Sequence, residues 1–168
     1  MTIVNFKKSE LEKLNRALCG IGKVSVREEK LRSFLELQGI ECERHIDPTL
    51  LLDCEKWSSF SKAPVKNGQK YILYYQVSNE ENLYSSAKKL SQNLNLPVLT
   101  ADGFAKFENQ VERTHFLSPE EWVGAFKNAE YIVTNSFHGT VFSILNHRPF
   151  MVVVPPRMTN FFTRSSCA

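Results

Sequence analysis

The chain predicts an α/β fold built on a mainly parallel sheet with flanking helices. Two observations carry that expectation. Short β-rich runs, at residues 71–77 and at the start of residues 131–145, alternate with stretches whose apolar residues recur at helical spacing. Residues 131–145 compress the pattern into one unit: a buried strand, a polar turn and an apolar helix. Repeated alternation of this kind gives parallel neighbours joined by right-handed crossovers.

Each element follows from its residues. Residues 9–18 place Leu11, Leu14 and Leu18 on one helical face, with Ser9 as N-cap and Gly20 and Gly22 ending the helix. Residues 23–26 form a short strand that leaves Arg27 at its carboxyl end. Residues 28–38 form a helix stopped by Gly39, and residues 40–46 a second strand closed by Asp47-Pro48. Leu50-Leu51-Leu52 is expected as an apolar turn packed on the core. Residues 55–68, polar around Trp57 and Phe60, are expected as a loop serving as lid or linker. Residues 71–77 read as a central strand, with Tyr74 and Tyr75 facing opposite sides of the sheet. The helix at 80–94 carries Leu83, Ala87, Leu90 and Leu94 on one face, and 97–100 is a strand. Residues 101–116 are irregular and hold Gly103 and Arg113. Ser118-Pro119-Glu120-Glu121 has the order of a capped helix start, with Ser as N-cap, Pro first and Glu third. After residues 131–145 a turn at His147-Arg148-Pro149 leads to a last strand at 150–154.

Composition narrows the function. The chain has 168 residues, 42% of them hydrophobic and 23% charged, which suits one soluble domain with a real core. Its net charge of +3 is spread out, with no dense basic block, which argues against nucleic acid as a partner. No apolar stretch approaches the roughly 20 residues of a membrane span, and no leader pattern opens the sequence. Cys19, Cys42, Cys54 and Cys167 lack metal-ligand or paired spacing, so reduced thiols and a cytoplasmic location are expected.

His138 is the leading chemical candidate. It stands where a strand hands over to a helix, the crevice at which open α/β sheets bind ligands. A helix beginning there turns backbone N–H groups and the positive end of its dipole toward an anion, while an unperturbed imidazole moves protons near neutrality. Gly139 admits a ligand close to the backbone. Thr134, Asn135, Ser136 and Thr140 surround the histidine with short hydrogen-bonding groups, which serve either a binding turn or helix capping. Arg27 is the second candidate, since its forked donors fit a carboxylate or phosphate; it is equally suited to an ion pair with Glu28, Glu29 or Asp47. Asp47 closes a turn or orients Arg27. Trp57, Trp122, Phe60 and Phe142 are expected to pack in the core or a lid. His45, His115 and His147 share no ligand spacing with His138, and no metal site is expected.

Several motifs in order resemble the polysaccharide pyruvyl transferase family. They are Val24-Ser25-Val26-Arg27-Glu28, Asp47-Pro48-Thr49-Leu50-Leu51-Leu52, Trp57, Tyr71-Ile72-Leu73-Tyr74-Tyr75 and Ser118-Pro119-Glu120-Glu121-Trp122. The most specific is Thr134-Asn135-Ser136-Phe137-His138-Gly139-Thr140-Val141-Phe142-Ser143-Ile144, followed by Pro149-Phe150. The resemblance implies a Rossmann-like domain similar to one half of a glycosyltransferase B type fold. It implies transfer of a pyruvyl group from phosphoenolpyruvate to a sugar hydroxyl of a bacterial cell-surface glycan or its lipid-linked precursor, with release of phosphate and no redox or metal cofactor. It maps the family's histidine onto His138 as catalytic residue and its arginine onto Arg27. Asn135, Ser136, Gly139 and Thr140 join Arg27 as expected substrate-binding residues.

Two departures stand out. Many members carry Arg-Leu-His where this chain has Ser136-Phe137-His138, so one cation facing the donor is replaced by a hydroxyl. Members are also about twice this length, so residues 1–22 are expected to be a lead-in from an amino-terminal half, residues 23–154 the family domain, and residues 155–168 a polar, shortened tail. An incomplete domain predicts a missing-domain partner or self-association. The same residues also fit a binding remnant without turnover, or a glycosyl transferase using a nucleotide sugar.

Overall fold

The computed structural model describes residues 8–65, 68–101, 105–111 and 116–154. These fall into two compact units divided between Leu51 and Leu52. Gly103, Arg113, His115, Cys167 and the tail at 155–168 lie outside the described residues.

The first unit is a small α/β layer. It contains α1 (Lys8–Leu18), β1 (Val24–Val26), α2 (Glu29–Leu37) and β2 (Cys42–Arg44), then a 3-10 turn at Pro48–Leu51. β1 and β2 run parallel, with Val24 opposite Cys42 and Val26 opposite Arg44. The ladder continues one step further, as His45 N–H donates to the Val26 carbonyl at 2.9 Å. Gly39 ends α2 at φ +74°, a left-handed conformation that favours glycine. Val26, Leu35 and Cys42 form the core, with Leu14 and Leu18 packed at its margin.

Two expectations fail here. Ser9 lies inside α1 rather than capping it. The leucines at 50–52 are exposed rather than packed, with Leu51 68% accessible. The turn is organised by Asp47, whose carboxyl accepts from Thr49 N–H and whose carbonyl accepts from Leu50 N–H. Polar capping therefore dictates the turn, and its apolar side chains point outward.

The second unit is an open parallel sheet covered on both faces, a Rossmann-like arrangement. It contains α3 (Cys54–Phe60), β3 (Ile72–Tyr75), α4 (Glu81–Leu94), β4 (Val98–Thr100), α5 (Pro119–Asn128), β5 (Tyr131–Thr134), α6 (Phe137–Leu145) and β6 (Phe150–Val152). The spatial order is β4-β3-β5-β6, every pair parallel. Alternation along the strands divides the core. Tyr71, Leu73 and Ile132 face one layer with Val123, Phe126 and Phe142, while Ile72, Tyr74 and Val133 face the other with Leu83, Ala87 and Phe107. Strands buried on both sides read as continuous apolar runs, which is how they stood out in the sequence.

α5 begins with a complete capping box: Ser118 Oγ accepts from Glu121 N–H while Glu121 Oε2 accepts from Ser118 N–H. The stretch expected as a loop at 55–68 instead begins with α3, capped by Asp53, which accepts from Lys56 N–H at 2.9 Å. Seven residues give too little periodicity to distinguish a helix from a polar loop. Tertiary contacts hold it, with Trp57 edge-on to Phe142 at 5.0 Å. Trp122 meets Phe142 at the same 5.0 Å spacing, and Tyr75 meets Trp122 at 5.3 Å. Phe60 stays outside this cluster, 47% exposed, and Leu94 is half exposed at the end of α4 rather than on its buried face.

Candidate functional site

In the second unit the chain leaves β3 for β4 on one side and later places β5 on the other. The carboxyl ends of β3 and β5 therefore mark a topological switch point, where open α/β sheets bind ligands. Asn135 follows β5 directly and is buried. Its Oδ1 accepts from Val77 N–H at 2.9 Å, and its Nδ2 donates to the Ser78 carbonyl at 2.8 Å and Ser78 Oγ at 3.1 Å. This one amide ties the loop after β5 to the loop after β3.

The neighbouring small polar groups build the entry to α6. Thr134 Oγ1 accepts from Ser136 N–H at 3.0 Å. Ser136 is the N-cap, its Oγ accepting from Gly139 N–H at 3.2 Å. Thr140 Oγ1 donates to the Ser136 carbonyl at 3.0 Å, and Ser143 Oγ to the Gly139 carbonyl at 2.7 Å. Gly139 has a steric reason to be glycine, because a Cβ there would lie 2.4 Å from Thr134 Oγ1. The turn is thus a rigid, internally bonded platform. His138 stands out from it on the first turn of α6, exposed, its ring edge-on to Phe137 at 5.4 Å. The positive end of the α6 dipole lies on the same turn.

The first unit holds Arg27, Glu28 and Asp47. Arg27 leaves the carboxyl end of β1, and Asp47 follows β2, so parallel pairing brings both to one sheet edge. Arg27 Nη1 donates to Asp47 Oδ2. Its Nε and Nη2 both contact Glu28 Oε1 at 2.9 Å. Asp47 is only 4% exposed, and Thr49 fixes its other oxygen through N–H at 3.0 Å and Oγ1 at 2.6 Å. The hydrogen bond to Asp47, then that to Glu28, raises the Arg27 pKa further above its ordinary value, so the guanidinium stays cationic. Of the partners weighed for Arg27, the structure pairs it with Glu28 and Asp47; Glu29 bonds Arg32 instead.

Sequence reasoning did not anticipate Val77 and Ser78 as partners of Asn135. Their only signal was position, directly after a central strand. It also passed over a cavity of about 440 Å³ beside β3, lined by Tyr74, Gln76, Asn79, Glu81, Tyr84 and Ala105. A larger cavity of about 540 Å³ opens in the first unit near Lys23 and Glu41. That lies at the amino ends of β1 and β2, the opposite edge from Arg27. Among the described residues no three His, Cys, Asp or Glu side chains converge as a metal site, and no helix is long and apolar enough to cross a membrane. Cys19, Cys42 and Cys54 are free thiols.

A family model for polysaccharide pyruvyl transferase matches residues 5–155. The chain belongs to that family. The match spans Arg27, Asp47, Asn135, Ser136, His138, Gly139 and Thr140, so the candidate residues of both units lie inside the family region. No curated protein and no solved structure matches the chain.

Proposed function

We propose that this domain serves a pyruvyl transfer from phosphoenolpyruvate to a sugar hydroxyl of a cell-surface glycan or its lipid-linked precursor, in the cytoplasm. The observation that carries the reading is His138, an exposed imidazole on the first turn of α6, beside the β3–β5 switch point, in a chain of this family. In the reaction a proton adds to the methylene carbon of phosphoenolpyruvate, and the neighbouring carbon becomes oxocarbenium-like. A sugar hydroxyl bonds to that carbon and gives up its proton. The carbon–oxygen bond to phosphate then breaks, phosphate leaving with the electron pair. A second hydroxyl closes the ketal and releases its own proton.

His138 is proposed to move one of these protons as general acid or base. The N-terminal turn of α6 favours the charge of an anionic substrate group. Ser136 in place of the common arginine puts a capping hydroxyl, already bonded to Gly139 N–H, at a position where many relatives have a cation. The anion then depends more on the helix end. Arg27 is proposed as a ligand to an anionic group in the first unit. Asn135, Ser136, Gly139 and Thr140 support binding by holding the turn in shape.

The test is thermal stabilisation of the chain by phosphoenolpyruvate, wild type against His138→Ala. Ligand at about 100 times its Kd stabilises a protein by roughly 2.7 kcal/mol. A rise in Tm in the wild type that shrinks in His138→Ala is expected. No rise in the wild type, or an equal rise in both, refutes the reading.

A further inference from the structure

We propose that Glu28 and Asp47 act on Arg27 in opposite senses: Asp47 aims the guanidinium, and Glu28 occupies its outer edge until an anionic substrate group displaces it. The inference rests on Arg27 being an anion ligand.

The two carboxylates differ in every respect that governs exchange. Asp47 is 4% exposed, and its second oxygen is held by Thr49 N–H and Oγ1. Burial and these two bonds hold it in place, so it anchors the guanidinium through Nη1. Glu28 is 56% exposed, so water solvates it as it leaves. It stands at the N-cap of α2 but makes no side-chain cap bond there, so its departure removes no cap.

The contact geometry points the same way. One oxygen of Glu28, Oε1, meets both Nε and Nη2. A guanidinium edge is matched better by two oxygens in parallel, the fork that a carboxylate or phosphate of a free ligand can form. An anion arriving at that edge thus trades a one-oxygen contact for a two-oxygen one. It also approaches the N-terminus of α2, whose dipole favours negative charge.

The two residues can be separated because a simple field effect and an aiming effect differ in sign. Both Glu28→Gln and Asp47→Asn remove a negative charge beside Arg27. If charge alone matters, both variants bind anions more tightly. If Asp47 aims Arg27, the two variants move in opposite directions.

The experiment measures the Kd of phosphoenolpyruvate and of inorganic phosphate for the 168-residue chain by calorimetry. Glu28→Gln is expected to tighten binding about 1.5- to 5-fold, the range an exposed ion pair commands. Asp47→Asn is expected to weaken it roughly tenfold through misplacement of the guanidinium. Thr49→Ala keeps the Asp47 charge while loosening its seat, so it covers the case in which Asp47→Asn does not fold; weakening of about two- to tenfold is expected, the range that one net hydrogen bond spans. Tightening by Asp47→Asn, or unchanged binding in Glu28→Gln, overturns the inference while leaving Arg27 as an anion ligand. Wild-type binding that Arg27→Ala leaves intact, or no binding by any variant, overturns the reading of Arg27 and the inference with it.

Discussion

Replacing Gly139 with alanine tests the claim that the α6 entry is a close-packed platform. A Cβ at this position would lie 2.4 Å from Thr134 Oγ1 and 3.1 Å from Thr134 Cβ and Cγ2. Thr134 is fully buried and its Oγ1 accepts from Ser136 N–H, so it has two ways to respond. It can stay and be overpacked, at about 1–3 kcal/mol. Or it can rotate and leave the Ser136 N–H without its acceptor, at about 1–3 kcal/mol. Alanine in a helix returns up to about 1 kcal/mol relative to glycine. The net expectation is a loss of roughly 1–2 kcal/mol. Urea unfolding followed by tryptophan fluorescence reads it directly, because Trp57 and Trp122 both pack on Phe142 of α6. With a slope of about 1–3 kcal/mol per M, a loss near 1.5 kcal/mol lowers the midpoint by about 0.5–1.5 M. The decisive comparison is a double-mutant cycle. Thr134→Ala removes Oγ1 and Cγ2, so Gly139→Ala on that background is expected to be near neutral, giving a coupling of about 1 kcal/mol or more. Equal losses on both backgrounds would refute the steric account.

Two further predictions concern stability. Gly124→Ala places a Cβ 1.8 Å from the Lys62 carbonyl oxygen, a backbone atom that no rotamer change can move. It is expected to cost about 1–3 kcal/mol and to break the 2.9 Å bond from Lys62 N–H to the Glu120 carbonyl; a midpoint at or above wild type in the same urea assay speaks against that packing. Tyr71 is fully buried, its hydroxyl donating to the Ala125 carbonyl at 3.0 Å, and burial raises its pKa well above the ordinary tyrosine range. The folded state keeps its proton after the unfolded state has lost it, so this contribution is intact below about pH 10 and declines as pH rises further. Tyr71→Phe is expected to lose about 0.5–1.5 kcal/mol at neutral pH but to fall less steeply between about pH 10 and 11.5. Parallel declines of the two proteins in pH-dependent urea titrations count against this assignment.

Much of the second unit was legible because its information is local. Buried parallel strands appear as apolar runs: β3 and β4 fall inside the ranges expected for them, and β5 opens the strand, turn and helix unit expected at 131–145. The capping box of α5 is written in four consecutive residues. The leucine turn at 50–52 and the short helix α3 were misread for a shared reason. Neither is decided by its own periodicity, the first being set by the Asp47 cap and the second held by an aromatic contact from α6.

What the sequence by itself determined is the set of elements apart from α3, the family motifs, and the positions of His138 and Arg27 at strand ends, since strand-to-helix handovers follow from local periodicity and turn chemistry. The tertiary structure decided what those residues touch. Asn135 reaches Val77 and Ser78 across 58 and 57 positions, respectively, and Asp47 reaches Arg27 across 20. Such bonds exist only because parallel pairing brings the carboxyl ends of separate strands to one edge, where a buried polar group must find its partner from another loop.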